Sequence, residues 1–388
     1  MCPGFLFSSS DAAGPIPLMS QQPVSSPSVS CPASSLFSAA DVAAAIPGVS
    51  PVLDPARAAA IQGKLDAQAR PPGSLGRLEA LAVQIGQILQ TDTPQLHDPA
   101  VLLCAGDHGL VAQGVSAWPS SVTTLMMQGI LAGEATVSVL ARQHGLKVLV
   151  VDCGVIDPLP AQPGLVLRRL GAGTQDATQQ PAMTPEQCLQ AIRNGRELVR
   201  DLPGNAILLG EMGIGNTSPS SLLLARLAGL PIGQVVGPGA GLDDAGRQRK
   251  VQALAAALAR HAGVTQPLDV LAALGGFEIA TLTGAVLQAA AENRVIVVDG
   301  FITSSAVLVA SRLQPAVLER CVFSHVSAEP GHRLMLQALG GDPLLQFGMR
   351  LGEGSAATLV WPILESACRA LNEIVPLATV LARGGASA

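Results

Sequence analysis

Gly210-Glu211-Met212-Gly213-Ile214-Gly215-Asn216-Thr217 (GEMGIGNT) joins two segments of opposite character. Ahead of it Asn205 to Leu209 (NAILL) reads as a short buried strand, and behind it Ser220 to Leu230 (SSLLLARLAGL) reads as an apolar helix. Parallel strands need helical crossovers, so a strand, a glycine turn and a helix in succession point to an α/β fold. The glycines let backbone N–H groups approach an anion closely, and the helix N-terminus adds a favourable dipole, which suits phosphate. The spacing matches neither the dinucleotide fingerprint GxGxxG nor the P-loop GxxxxGK[ST]. Taken alone, the stretch serves equally well as a tight turn whose glycines are there for packing.

The same alternation extends outward over much of the chain. Apolar runs at Val101 to Ala105, Lys147 to Asp152, Asn205 to Leu209, Asp269 to Leu274, Arg294 to Asp299 and Cys321 to Val326 read as strands. Between them lie helical stretches: Ser120 to His144, Pro185 to Asp201, Asp243 to His261, Glu278 to Glu292, Ser304 to Leu313 and Gly331 to Leu339. Thr184-Pro185-Glu186-Gln187 supplies a capping box with proline at the first helical position. Nearly continuous apolar strands, each followed by a helix, predict a doubly wound, mostly parallel six-stranded sheet covered on both faces. A closed eight-fold barrel would need further units.

Outside residues 101–354 the pattern is helical. Asp54-Pro55 makes a helix start with a run to about Gln68, and Arg70-Pro71-Pro72-Gly73 breaks the chain before a second helix carrying Leu78, Leu81, Ile85, Ile88 and Leu89 on one face. These helices, in residues 49–100, are expected to form a small helical domain with the C-terminal helices Ala356 to Leu371 and Leu377 to Leu381, in residues 355–388. Residues 1–48 are rich in Ser, Pro and Ala and carry no Lys or Arg, so they fit neither a secretory signal nor a mitochondrial presequence. They read as a disordered extension, or as sequence upstream of a true start at Met19 or later.

Composition narrows the function. The 388 residues are 48% hydrophobic and 13% charged, ample for a large aliphatic core. Aromatics make up 2% with no tyrosine, and the net charge is −5, which argues against nucleic acid and an anionic membrane surface and for a small-molecule partner. The 7 scattered cysteines contain no CxxC pair and read as buried thiols in a reducing, cytoplasmic setting. The 6 histidines show no metal-ligand spacing, so neither metal nor other cofactor is expected.

Ligands of open parallel sheets sit at the carboxyl ends of the strands, and the residues following these apolar runs are rich in polar groups. They include Gly106-Asp107-His108-Gly109, Gly275-Gly276-Phe277-Glu278, Asp299-Gly300-Phe301 and Ser327-Ala328-Glu329-Pro330-Gly331-His332. Asp107 and Asp299 serve equally as helix caps, His108 and His332 read as satisfied structural histidines, and Glu278 and Glu329 sit where an acid favours a helix start. Glu353 has glycine on both sides, so its carboxylate is open to a ligand and is a plausible general base, although local pattern alone favours a cap.

Taken together, the segments resemble the nicotinate-nucleotide:dimethylbenzimidazole phosphoribosyltransferase family. The resemblance is carried, in order, by RPPGSLGRLE at 70–79, AGDHGLVAQGVSAWP at 105–119, LLGEMGIGNT at 208–217, GLDDAGRQRK at 241–250, ALGGFEIATLTGA at 273–285, VDGFI at 298–302, HVSAEPGH at 325–332 and RLGEGS at 350–355. It implies transfer of phosphoribose from nicotinate mononucleotide to 5,6-dimethylbenzimidazole with inversion at C1′, giving α-ribazole 5′-phosphate and nicotinate. By the same resemblance, Glu353 is the general base and Glu211 a second acid at the reacting centre. Ser116 and Leu351 line the benzimidazole pocket, Gly213, Gly215, Asn216 and Thr217 hold the nucleotide, and Lys250 and Ser327 contact phosphate. The family is a homodimer whose sheet domain is joined by helices from both chain ends. Trp118 stands where tyrosine is usual, which leaves the acceptor base open, and Pro238 and Ala240 replace a frequent arginine and threonine. Ala356 replaces a frequent glycine. The alternatives are a relative using another azole, adenine or a phenolic acceptor, and a non-catalytic nucleotide or riboside carrier.

Overall fold

The computed structural model describes residues 35–239 and 241–384. Most of the expected extension, the Ala240 departure and the last four residues lie outside the described residues. Six strands, β1 (Ala100–Gly106), β2 (Lys147–Gly154), β3 (Leu165–Leu167), β4 (Ala206–Met212), β5 (Val295–Val298) and β6 (Cys321–Phe323), form one sheet in the order β3-β2-β1-β4-β5-β6. Every pairing is parallel. The winding reverses between β1 and β4, so the connections leaving their carboxyl ends diverge and open a crevice there.

The helices are, in chain order, α1 (Ala39–Ala45), α2 (Pro55–Asp66), α3 (Arg77–Ile88), α4 (Ser121–Leu131), α5 (Thr136–Gln143), α6 (Pro185–Asp201), α7 (Thr217–Ala228) and α8 (Ile232–Val235). They continue with α9 (Asp244–Arg260), α10 (Pro267–Leu274), α11 (Phe277–Ala291), α12 (Phe301–Leu313), α13 (Pro330–Leu339), α14 (Ser355–Glu373) and α15 (Leu377–Arg383). The two-residue period of a strand divides them between two cores. Val101, Leu103, Leu208, Val295 and Val297 pack with α2, α3, α4, α5 and α14, through Ile61, Ile85, Met127, Val137 and Trp361 among others. Leu102, Cys104, Ile207, Leu209, Ile296 and Val298 point the other way, into a core shared with α6, α7 and α9 to α13. Burial on both faces is why these strands carry no polar alternation.

Chain ends meet on the first face. Ala69 N–H donates to Val375 O and Leu377 N–H to Ala67 O, both at 2.9 Å, around an antiparallel bridge between Gln68 and Pro376. The expected caps are present: Asp54 accepts from Ala56 N–H at 2.9 Å, and Thr184 and Gln187 form the reciprocal capping box.

Three expectations need correction. Asp269 to Leu274 is not a strand but most of α10, started by Pro267 at its first turn and buried from Leu268 to Leu274. A short apolar run buried on every side shows no period, and Leu and Ala with a single β-branched residue, Val270, favour the helix. The sixth strand is instead β3, three residues at the edge paired to β2. The helix expected over Ser120 to His144 is broken at Gly133 (φ 80°), so neither half approaches the ~20 residues of a membrane span.

The third correction concerns the extension. Part of the segment read as disordered is helical, because α1 lies there. Ser38 caps α1, Phe37 and Ala45 are buried, and Arg196 Nη1 donates to Ala44 O (2.9 Å) and Ala45 O (2.7 Å). Ser35 Oγ and Leu36 N–H both donate to Asp269 Oδ1 at 3.1 Å. These partners lie more than 150 positions away in sequence, so composition gives no sign of them.

Helices α6 and α11 cross on glycine. A Cβ at Gly195 would stand 1.8 Å from Thr281 O, and one at Gly284 would stand 2.0 Å from Ile192 O. Backbone on both sides leaves no side chain to move aside. Gly195→Ala should therefore cost about 3 kcal/mol in urea unfolding. The control is Gly129→Ala in α4, where a Cβ meets nothing within 4 Å, and it should be neutral or gain up to about 1 kcal/mol. Equal midpoints for the two variants would refute the close crossing.

Candidate active site

The carboxyl ends of β1, β4, β5 and β6 surround a cleft of about 810 Å³ including its open mouth. One end is built for an anion. β4 runs through Glu211 to Met212, the glycine turn follows, and α7 begins at Thr217, so the positive end of the helix dipole lies at the turn. Lys250, buried on α9, donates from Nζ to Thr217 Oγ1 at 2.7 Å. Gly239 (φ 57°) passes so near that a Cβ there would lie 3.1 Å from Thr217 Oγ1 and 3.4 Å from Lys250 Nζ. Burial pulls the Lys250 ammonium down to about 8, opposed by the Glu329 carboxylate. Glu329 in turn is raised by burial against the pull of Lys250, Arg350 and the Gly239 N–H.

The lining also carries the apolar side chains of Val115, Ile214, Ile302 and Leu351, with Ser116 among them. Glu211 and Glu353 line the cleft, and Asp299 lies buried beside them. Glu211 accepts from Asn216 Nδ2 at one oxygen and from Glu353 N–H (3.3 Å) at the other. A Cβ at Gly352 would come within 2.3 Å of Glu211 Oε1, so only glycine admits this approach. Burial first, and then the charge of Asp299, push Glu211 up to about 8. Asp299, at the end of β5, accepts from Ala356 N–H (2.8 Å), Ala357 N–H (3.0 Å) and Gly354 N–H (3.3 Å). Burial raises it to about 6 against those three donors.

Glu353 stands in left-handed backbone (φ 63°) between Gly352 (φ 85°) and Gly354 (φ 81°). For a residue with a Cβ this costs roughly 1 kcal/mol. The residue is 4% exposed, its carboxylate is raised by burial, opposed by the N–H of Val137 in the first turn of α5, and Oε2 has no hydrogen-bond partner among the described residues. Beneath the glycine turn, His108 Nε2 lies 3.0 Å from Glu278 Oε1, both fully buried. Burial pushes the His108 imidazole down, but the Glu278 carboxylate outweighs it and leaves the ring above its ordinary value.

Glu211, Glu353, Ser116, Leu351, Gly213, Gly215, Asn216, Thr217 and Ser327 all line this one cleft, and Lys250 reaches it through Thr217. Trp118 stands apart from the lining at 54% exposure, with its backbone N–H on Ser116 Oγ at 3.2 Å. Ala356 lies within α14, where it needs no special backbone. Asp299 does cap a helix, but α14 rather than the next one in sequence. His332 is satisfied at both nitrogens, by Ser327 N–H (2.9 Å) and Ser304 Oγ (3.2 Å). The cleft also holds Glu329, Arg350 and His325, none of which residue-by-residue reading selected. Glu329 lay among the strand-end acids but looked like a helix start, and His325 had no local signal.

Known proteins resemble this chain in sequence and in fold. A family model described as a phosphoribosyltransferase matches residues 50–380. A nicotinate-nucleotide–dimethylbenzimidazole phosphoribosyltransferase of Variovorax paradoxus is 62% identical over 329 residues, 85% of this chain and 94% of the relative. A protein of the same name from Cupriavidus taiwanensis is 51% identical over 84% of this chain and 94% of its own length. The crystal structure of such an enzyme from Thermus thermophilus superposes with a TM-score of 0.80 at 38% identity, covering 87% of this chain and 100% of that one. On the match of sequence and fold together, the chain belongs to the nicotinate-nucleotide–dimethylbenzimidazole phosphoribosyltransferase family, and is a transferase.

Proposed function

We propose that this protein transfers phosphoribose from nicotinate mononucleotide to 5,6-dimethylbenzimidazole, giving α-ribazole 5′-phosphate and nicotinate, as a cytoplasmic homodimer. The observation that carries the reading is the pair Glu211 and Glu353, joined by the Glu353 N–H (3.3 Å), in one cleft with Thr217, Ser327, Ser116 and Leu351. A nucleotide binds with its phosphate at Lys250, Thr217 and Ser327, and the acceptor base lies against Ser116 and Leu351. Exposed Leu125 and Val139 on α4 and α5 supply apolar surface for a second copy.

The acceptor's ring nitrogen attacks C1′ with its lone pair as the C1′–N bond to nicotinate breaks on the opposite face, which inverts β to α. Nicotinate leaves as a neutral ring nitrogen and needs no acid. The new ribosylated base carries an N–H proton that Glu353 removes. A raised carboxylate is a stronger base than a solvated one, and burial supplies that raise here. Glu211, held by Asn216, accepts from the Glu353 N–H and so orients the residue that carries the base.

Purified protein mixed with nicotinate mononucleotide and a panel of benzimidazoles, adenine and phenols should yield α-ribazole phosphate with dimethylbenzimidazole, resolved by chromatography. No product with any acceptor would overturn the proposal. Glu353→Gln should lower kcat by about 10²-fold while the Kd for nicotinate mononucleotide stays within about 3-fold. Unchanged turnover would remove Glu353 from the base role.

Glu211 makes a separate prediction about stability. Its folded value of about 8 lies above the ordinary 4.5, so its contribution is complete below 4.5 and is lost as pH rises through 8. Glu211→Gln has no proton to lose. From pH 6.5 to 9, above the Asp299 window, the variant's Tm should gain about 3 °C or more on the parent. A constant difference over that range would show that burial does not hold Glu211 protonated.

A further inference from the structure

The wall of the cleft holds a histidine that the chemistry above does not use. His325 follows β6, and its backbone is pinned by a parallel bridge to Leu345, with Val326 N–H on Leu345 O and Leu345 N–H on Ser324 O, both at 2.9 Å. The residue is 3% exposed and lines the cleft. Nδ1 is buried with no hydrogen-bond partner among the described residues, and Nε2 lies beside Gly300, 3.5 Å from where a Cβ would stand. A buried polar group left unpaired costs stability unless a ligand or water completes it.

Its surroundings fix its charge. The nearest ring is His332, with centroids 5.9 Å apart. Because His332 Nδ1 accepts from Ser327 N–H (2.9 Å), its own proton sits on Nε2, toward Ser304 Oγ. Burial holds His325 down to about 4, so it is neutral at working pH. A neutral imidazole offers one donor and one acceptor, which matches a hydroxyl better than a phosphate, a carboxylate or a cation.

Its place in the cleft identifies the hydroxyl. On one side, Gly300 adjoins Asp299, whose carboxylate accepts from Gly354 N–H at 3.3 Å beside Glu353. On the other, Ser327 Oγ accepts from Glu329 N–H at 3.3 Å, and Glu329 interacts with Lys250 of the anion end. In a nucleotide the sugar joins phosphate to base, so the wall between these ends faces the sugar. We infer that His325 recognises a ribose hydroxyl of the nucleotide donor and makes the site select ribosyl over deoxyribosyl donors. The inference rests on the nucleotide reading above and adds the sugar selectivity.

Calorimetric titration of the full chain with nicotinate mononucleotide and its 2′-deoxy and 3′-deoxy analogues tests this without requiring turnover. The parent should bind the ribonucleotide roughly 10- to 100-fold more tightly than at least one analogue. His325→Leu should bring that ratio to within about 3-fold of unity by weakening the ribonucleotide alone, and His325→Gln, whose amide again offers donor and acceptor, should restore much of it. His325→Phe substitutes if the leucine variant does not fold. Equal affinities for all three ligands in the parent, or equal weakening of all three in the variants, would overturn the inference. Failure of the transferase reading is distinguishable, since it appears as absence of product whatever the affinity ratios.

Discussion

The grip of Asp299 on the start of α14 holds the site together. One carboxylate at the end of β5 accepts from three backbone N–H groups, those of Gly354, Ala356 and Ala357. Charge-assisted bonds at a helix N-terminus are strong, because donors and dipole favour the same anion. They bring a helix from the far end of the sequence against the middle of the sheet. The loop just ahead of that helix is thereby held above β4, where Glu353 N–H reaches Glu211. Without that anchor, three successive residues in left-handed backbone would have nothing to keep them there.

The same anchor sets the electrostatics. Asp299 is among the causes that raise both Glu211 and Glu353, so three buried acids disfavour one another's charge. Folding alone would not favour such a cluster, since an apolar filling of similar volume is often as stable or more so. Its presence marks the place where stability is given up for chemistry. Glycines let the backbones come close enough for it. Gly352 admits Glu211, and Gly210 admits the Glu353 carbonyl, which would lie 2.8 Å from a Cβ at that position.

Much of this was legible in the residues. The GEMGIGNT stretch names its own strand, turn and helix, and the strand-end rule gathers most of the cleft from the residues alone. Glu353 was less legible: glycine on both sides read as openness, whereas the structure uses those glycines to turn the backbone left-handed and bury the carboxylate. The misread run at Asp269 to Leu274 shows the limit of periodicity, because total burial erases the pattern that tells helix from strand. β3 was invisible, since three residues at a sheet edge carry too little pattern. His325 was missed because its meaning lies in Gly300, His332 and Leu345, none adjacent in sequence.

The shared placement of the chain ends has a further consequence during synthesis. Strands β1, β4 and β5 expose Val101, Leu103, Leu208 and Val297 on a face that α14 helps to cover, through Trp361 and Leu364. A ribosome delivers that helix last but one, after every strand has emerged. Until then the nascent sheet presents an unsealed apolar surface, a target for chaperones and a hazard for aggregation. The loop bearing Glu353 enters with the same late segment, so sealing the core and completing the site are one event.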